Sequence, residues 1–148
     1  MGHSKKIYIA SSWKNEYLLL NLAGILRHEG HEVDLFCDDS TGRFRFCYTD
    51  IPGGHENMNA VSFLNTPEAL RAFHEDRKWL DWCDVCLLVL PSGRSSHLEA
   101  GYAVGRGKKL YILGGYVTGE FDVMYGFAEQ LFDFSQLNWL LEELKRVA

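Results

Sequence analysis

The sequence has no long apolar run, and none of its hydrophobic stretches approaches the ~20 residues needed to span a bilayer. Its opening, MGHSKKIYIA, carries two lysines but no apolar segment of signal-peptide length, so a cytoplasmic protein with no membrane partner is expected. Basic charge is also scarce: 15 Lys and Arg stand against 20 Asp and Glu, a formal net charge of -5. A nucleic-acid polymer needs a stripe of cations against its phosphates, and the lack of one argues against that class of partner. Four cysteines in 148 residues are too few for a disulfide scaffold. Cys83 and Cys86 form a C-x-x-C, but Cys86 falls inside an apolar run and no second ligand pair accompanies it, so both are read as packing residues. No internal repeat or low-complexity linker interrupts the chain. At 47% hydrophobic it is long enough to bury a core as one domain over 1–148.

What is present is organised around Asp84 to Lys109. Asp84 to Leu90 is a run of Val, Leu and Cys without alternation, the pattern of a strand buried on both faces of a parallel sheet. Pro91 stops it, small and polar residues follow, and the period then becomes helical, with Leu98, Gly101, Tyr102 and Gly105 on one stripe. Earlier, Lys5 to Ala10 reads as a strand, Ser11 to Asn15 as a loop, and Glu16 to Glu29 as a helix with Leu19, Leu22, Ala23 and Leu26 inward and Gly30 as its cap. His31 to Cys37 alternates like a second strand, which completes a β-α-β unit. Asp38 to Asn65 is long and irregular; it is either a decorated surface loop or carries a short strand or hairpin at Arg43 to Tyr48. Thr66 and Pro67 open a helix to about Trp82. Lys109 to Leu113 is a further strand ended by Gly114 and Gly115. Glu120 to Leu131 is helical or irregular, Phe132 to Phe134 is a short edge strand, and Ser135 caps a final amphipathic helix through Leu137, Leu140, Leu141 and Leu144. This alternation predicts a flavodoxin-like, doubly wound α/β fold, with a mainly parallel sheet of about five strands in three α/β/α layers. Its first and third strands flank the switch point, which brings Ser11 to Asn15 and Pro91 to Ser96 over one crevice.

Glu99 is the first candidate for chemistry. Ser96-His97-Leu98-Glu99 fits an S-x-x-E capping box, in which Glu99 has only a structural duty. In the other reading, helix-terminal amides keep the carboxylate ionised, and it acts as a nucleophile toward an anomeric carbon or stabilises an oxocarbenium ion.

The stretch LEAGYAVGRGKKLYIL, following a strand and a polar loop, resembles the nucleoside 2-deoxyribosyltransferases and the related nucleoside-monophosphate N-glycosidases. In that family the Glu of E-x-G-Y-A is the nucleophile, a position held here by Glu99. The opening strand and loop, KIYIASSW, are similar as well. The resemblance implies that Tyr8 orients Glu99, that Ser11, Ser12 and Trp13 line the pocket, and that Asp76 contacts the base and helps proton transfer. It also implies that the segment Glu120 to Gly126, with Asp122 and Met124, reaches a neighbouring subunit's site in a homo-oligomer. The family's transferases on free nucleosides place an acidic residue six positions before the Glu, where this chain has Gly93. Ser92, Gly93, Arg94, Ser95 and Ser96 offer hydroxyls, a guanidinium and helix-terminal amides instead, which suit a phosphate. A small-molecule nucleoside or nucleotide is the implied partner, and no metal or redox cofactor is implied. Trp13 and the loop aromatics could stack on a base or simply pack, and His97 could touch substrate or stand exposed. A non-catalytic nucleotide-binding module on the same fold remains the alternative, with a flavodoxin proper as a third.

Overall fold

A computed structural model describes residues 3–146. Its five strands are β1 (Lys6–Ala10), β2 (Glu32–Leu35), β3 (Val85–Val89), β4 (Lys109–Leu113) and β5 (Gln130–Phe132). They form one sheet in the order β2-β1-β3-β4-β5, and every neighbouring pair is parallel. The helices are α1 (Glu16–His28), α2 (Ala60–Leu64), α3 (Pro67–Trp82), α4 (Arg94–Gly105) and α5 (Leu137–Leu144). From β1 the chain turns to one side for β2 and then crosses to the other for β3. The carboxyl ends of β1 and β3 are therefore the switch point of a flavodoxin-like, three-layer fold.

Alternation along each strand divides the core. Ile7 and Ile9 of β1 join the cluster under α1 and α5, while Tyr8 and Ala10 join the one under α3 and α4. Both faces of β3 are covered, so all five of its residues are buried, as its unbroken apolar run requires. On α1 the stripe Leu19, Leu22, Ala23 and Leu26 is buried as the sequence predicts, and Gly30 follows it at a φ of 95° that favours glycine. Thr66 caps α3 by accepting from the Ala69 amide, with Pro67 in the first turn.

Elsewhere the chain departs from the sequence reading. Arg43 to Tyr48 forms no strand, and Arg43 turns inward and is buried; the regular structure of the long loop is a 3-10 turn at Tyr48–Asp50 and the short helix α2. Helix α4 starts at Arg94, with Gly93 as its N-cap, so there is no capping box: Ser96 Oγ donates to the Gly93 carbonyl, and Glu99 lies in the second turn. The expected α4 stripe is also rotated. Leu98 is 76% exposed, and Ser96, Ala100 and Ala103 face the sheet, small side chains that let the helix sit close. The edge strand falls at Gln130–Phe132 rather than Phe132 to Phe134, preceded by a 3-10 turn over Val123–Phe127. Gly114 explains the tight exit from β4, since a Cβ there would meet the Leu90 carbonyl and the Phe134 ring, each at 2.9 Å. Ser135 donates to Asp133 and does not itself cap; Asp133 caps the turn leading to α5.

Candidate active site

The face under α3 and α4 carries a buried cluster of polar groups, Tyr8, Asp34 and Arg43. Tyr8, 1% exposed in the middle of β1, points beneath α4 and donates its hydroxyl hydrogen to Glu99 Oε2 at 2.5 Å. In the register of the sheet Tyr8 stands beside Asp34 of β2, so a buried acid lies on the same face. Between them and α3 sits Arg43. Its Nε and Nη2 donate to the two oxygens of Asp34 at 3.0 and 3.2 Å, and Nη2 also donates to Asp76 Oδ1 at 2.9 Å. Nη1 donates to the Phe44 carbonyl at 2.9 Å. A cavity of about 430 Å³ opens beside this network. Asp76, Glu99, Arg77 and Ser95 are its charged and hydroxyl groups; Phe46, Tyr48, Phe63, Phe73, Leu98 and Tyr102 supply aromatic and apolar walls. A mostly apolar cavity with a few convergent polar groups is the form a small-molecule site takes.

The electrostatics differ from what the sequence reading gives. Burial, and then the nearby Asp76 charge, push the Glu99 carboxyl up to about 8, although the Tyr8 hydrogen bond works the other way. At pH 7 the protonated form of Glu99 is therefore favoured. The helix-terminal amides do not keep it ionised: it lies a full turn beyond them, and burial outweighs the Tyr8 hydrogen bond that favours its charged form. Burial and the Glu99 charge raise the Tyr8 phenol well above its ordinary value, so it stays a donor. Burial raises Asp76 and Asp34 from their ordinary 3.8, with Arg43 opposing in both. Burial opposes the charge of Arg43, but its bonds to Asp34 and the charges of Asp34 and Asp76 outweigh that and hold it protonated.

The two loops meet over the sheet as expected. Asn15 Nδ2 donates to the Pro91 carbonyl at 2.8 Å and to Ser11 Oγ, and Ser11 Oγ donates to the Val89 carbonyl. Glu99, Asp76 and Tyr8 are brought together, and Ser95 lines the cavity with them. Ser92 Oγ is buried without a hydrogen-bond partner among the described residues, Gly93 is the α4 N-cap, and Arg94 is exposed with no ion pair among those residues. Ser96 is buried, its hydroxyl spent on Gly93, and Ser12 caps the short turn Trp13–Asn15. Trp13 does not line the cavity. It packs on the opposite face, edge-on to Phe36 at 5.4 Å, and donates Nε1 to the Phe46 carbonyl. Asp122 caps the turn over Val123–Phe127, and Met124 is 56% exposed; neither lines the cavity. His97 is not simply exposed: Nδ1 bonds the Gly93 carbonyl, so it carries the proton in the neutral ring, and Nε2 accepts from Tyr125. Cys83 and Cys86 are buried free thiols, and among the described residues no group of three His, Cys, Asp or Glu is arranged to hold a metal ion.

The sequence reading passed over Arg43 and Asp34, and it raised the wall residues Phe46, Tyr48 and Phe63 only together, as aromatics of the long loop. A signal for Asp34 exists: it is an acid on the inward phase of a buried strand, between Val33 and Leu35, and such a charge needs a partner.

No known family model matches the chain, and no curated protein matches it in sequence. In fold it is similar to the solved structure of the Clostridium botulinum CMP N-glycosidase BcmB, with a TM-score of 0.55 and 16% identity over 93% of this chain and 95% of that one. At that identity the likeness establishes a shared fold.

Proposed function

We propose that this chain cleaves the N-glycosidic bond of a nucleoside 5′-monophosphate by hydrolysis. The observation that carries the reading is Glu99, oriented by Tyr8, standing with Asp76 at an aromatic-walled cavity between α3, α4 and the long loop. The likeness in fold to a protein named as a CMP N-glycosidase supports it. The base lies against the aromatic wall and the anomeric carbon faces Glu99. One proton is shared between the two carboxylates. When it passes to the base by way of Asp76, Glu99 is left as a carboxylate whose oxygen attacks C1′. The C1′–N bond breaks, its electron pair stays on the base nitrogen, and the base departs with the proton. Water then hydrolyses the glycosyl ester and frees Glu99. The phosphate is held by Arg94, Ser92, Ser95 and the first amides of α4. We also infer that copies of the chain associate through the segment bearing Phe121, Val123, Met124 and Phe127, all more than half exposed.

The deciding experiment is chromatography of base release from a panel of nucleosides and their 5′-monophosphates, with and without a second free base. Release from monophosphates without exchange is expected. Exchange between free nucleosides would replace hydrolysis by transfer, and binding without turnover would leave a nucleotide-binding module. Light scattering on the purified chain, expected to give a multiple of the 16.9 kDa protomer, tests the association.

A further inference from the structure

We propose that Arg43, anchored by Asp34, is the positioning residue of the site: it fixes Asp76 as the proton-delivering carboxylate and joins that carboxylate to the wall that receives the base. This rests on the hydrolase reading above.

Arg43 is 7% exposed and uses four of its five N–H groups, two on Asp34, one on Asp76 and one on the Phe44 carbonyl. A guanidinium held in this fork has one orientation, unlike an ammonium, which rotates. Asp34 is 4% exposed and accepts at both oxygens, so the anchor is rigid and charge-paired. Only Asp76 Oδ1 is taken by Arg43, which leaves Oδ2 for a proton or a base edge. Burial of an ion pair is weak evidence of a stabilising role, since well-packed apolar groups often serve stability as well. The third contact is the informative one: it aims the pair at a carboxylate that is itself 36% exposed to the cavity.

The same residue organises the long loop. Next to Arg43, Phe44 lies under the Arg71 guanidinium at 3.8 Å, and Phe46 and Tyr48 turn into the cavity, where each packs against Phe63. The position of the base wall and the direction of Asp76 thus share one clamp. The charged and titratable groups around Asp76 are Asp34 on β2, Tyr8 on β1, Glu75 and Arg77 on α3, and Glu99 on α4. Acids dominate this set, so loss of Arg43 favours a proton on Asp76.

The test combines R43Q, R43K, D34N and D76N with the double variant R43Q/D76N, measured by kcat, KM, pH profile and thermal melt. R43Q is expected to lower kcat about 100-fold, more than it raises KM, with R43K recovering part of the loss and D34N showing the same direction at smaller size. R43Q/D76N is expected to be no slower than D76N alone. Losses that multiply in the double variant, or a folded R43Q with unchanged kcat and pH profile, would overturn the assignment. If R43Q does not fold, D34N decides: normal kcat and pH profile in folded D34N rejects the clamp. Carbon NMR titration of the Asp76 carboxyl separates this proposal from the hydrolase reading. It is expected to move to higher pH in R43Q even if the wild-type chain releases no base, and an unmoved titration rejects the clamp.

Discussion

The two faces of the sheet are built by the same alternation on the same strands, yet they differ in kind. Under α1 and α5 the core is mostly aliphatic, with Ile7, Ile9, Leu19, Leu26, Leu140 and Leu144 packed without a charge and the Tyr111 hydroxyl reaching Glu143 at its edge. Under α3 and α4 the strand positions one residue along include Tyr8 and Asp34, and the helices above supply Asp76 and Glu99. The first face maximises burial. The second spends part of that burial on groups whose charged forms are disfavoured, as the Glu99 carboxyl at about 8 records. Stability and chemistry are thus divided between faces that a single-residue register shift would exchange.

That division is easiest to break at its extremes. E99Q is expected to lower turnover roughly a thousandfold or more, because the amide cannot form the ester. The same variant is expected to be more stable above pH 8, by on the order of 1 kcal/mol. The sign follows from the raised carboxyl: between its ordinary 4.5 and about 8 the folded state holds a proton that the unfolded state has lost, so wild-type stability falls as pH rises through that window. Gln has no proton to lose and still accepts from Tyr8. Urea midpoints at pH 6 and 8.5 check this, and an E99Q protein with wild-type pH dependence would contradict it. On the other face L26A should do the reverse, costing about 2–5 kcal/mol of stability through the lost methylenes and the cavity left at a fully buried site. Its kcat per folded molecule, measured well below its melting temperature, is expected to stay within about twofold of wild type.

The faces also differ in how much of them the sequence displays. The α1 stripe and the β3 run are legible because aliphatic burial writes a periodic signal. Tyr8 and Asp76 come from the family resemblance, Glu99 from its place after the buried strand, and the structure sets the three side by side. Pattern by itself leaves Glu99 between a capping box and a nucleophile; only the true start of α4, at Gly93 and Arg94, removes the first. The α4 stripe was misplaced for a related reason. Its buried face is Ser96, Ala100 and Ala103, too weakly hydrophobic to outweigh Leu98, which stands outward at the cavity rim. Arg43 could not be placed at all. Its partners Asp34 and Asp76 are 9 and 33 positions away, and nothing local in an irregular loop says that a cation turns inward.

Smaller effects sharpen the contrast between a site tuned by neighbours and a scaffold that merely tolerates a titrating group. Y8F removes the hydrogen bond that holds the Glu99 carboxyl down, so the fall of kcat/KM with pH as the shared proton is lost, centred near 8 in the wild type, should move to higher pH. At pH 7 the loss is expected to be roughly tenfold, and a profile that falls in height without moving would mean that Tyr8 acts only by packing.

The smallest effect belongs to His31, which lies at the start of β2 and away from the cavity. Burial, and then the nearby Lys5 charge, lower its imidazole from the ordinary 6.5. Its Nδ1 accepts from the Lys5 amide at 3.0 Å, and its buried Nε2 has no partner among the described residues. A proton on Nδ1 would break the one hydrogen bond the ring makes. The unfolded chain therefore takes up this proton first, and the stability the neutral ring contributes is lost as pH falls from about 6.5 toward its lowered native value. That is the opposite sign to Glu99, whose contribution improves toward acid. H31Q, whose side-chain amide can still accept from Lys5, should remove about 1 kcal/mol or less of the acid sensitivity between pH 7.5 and 5 while leaving kcat unchanged. Urea midpoints of the variant and the wild type that fall in parallel over this interval would show that His31 takes no part in it.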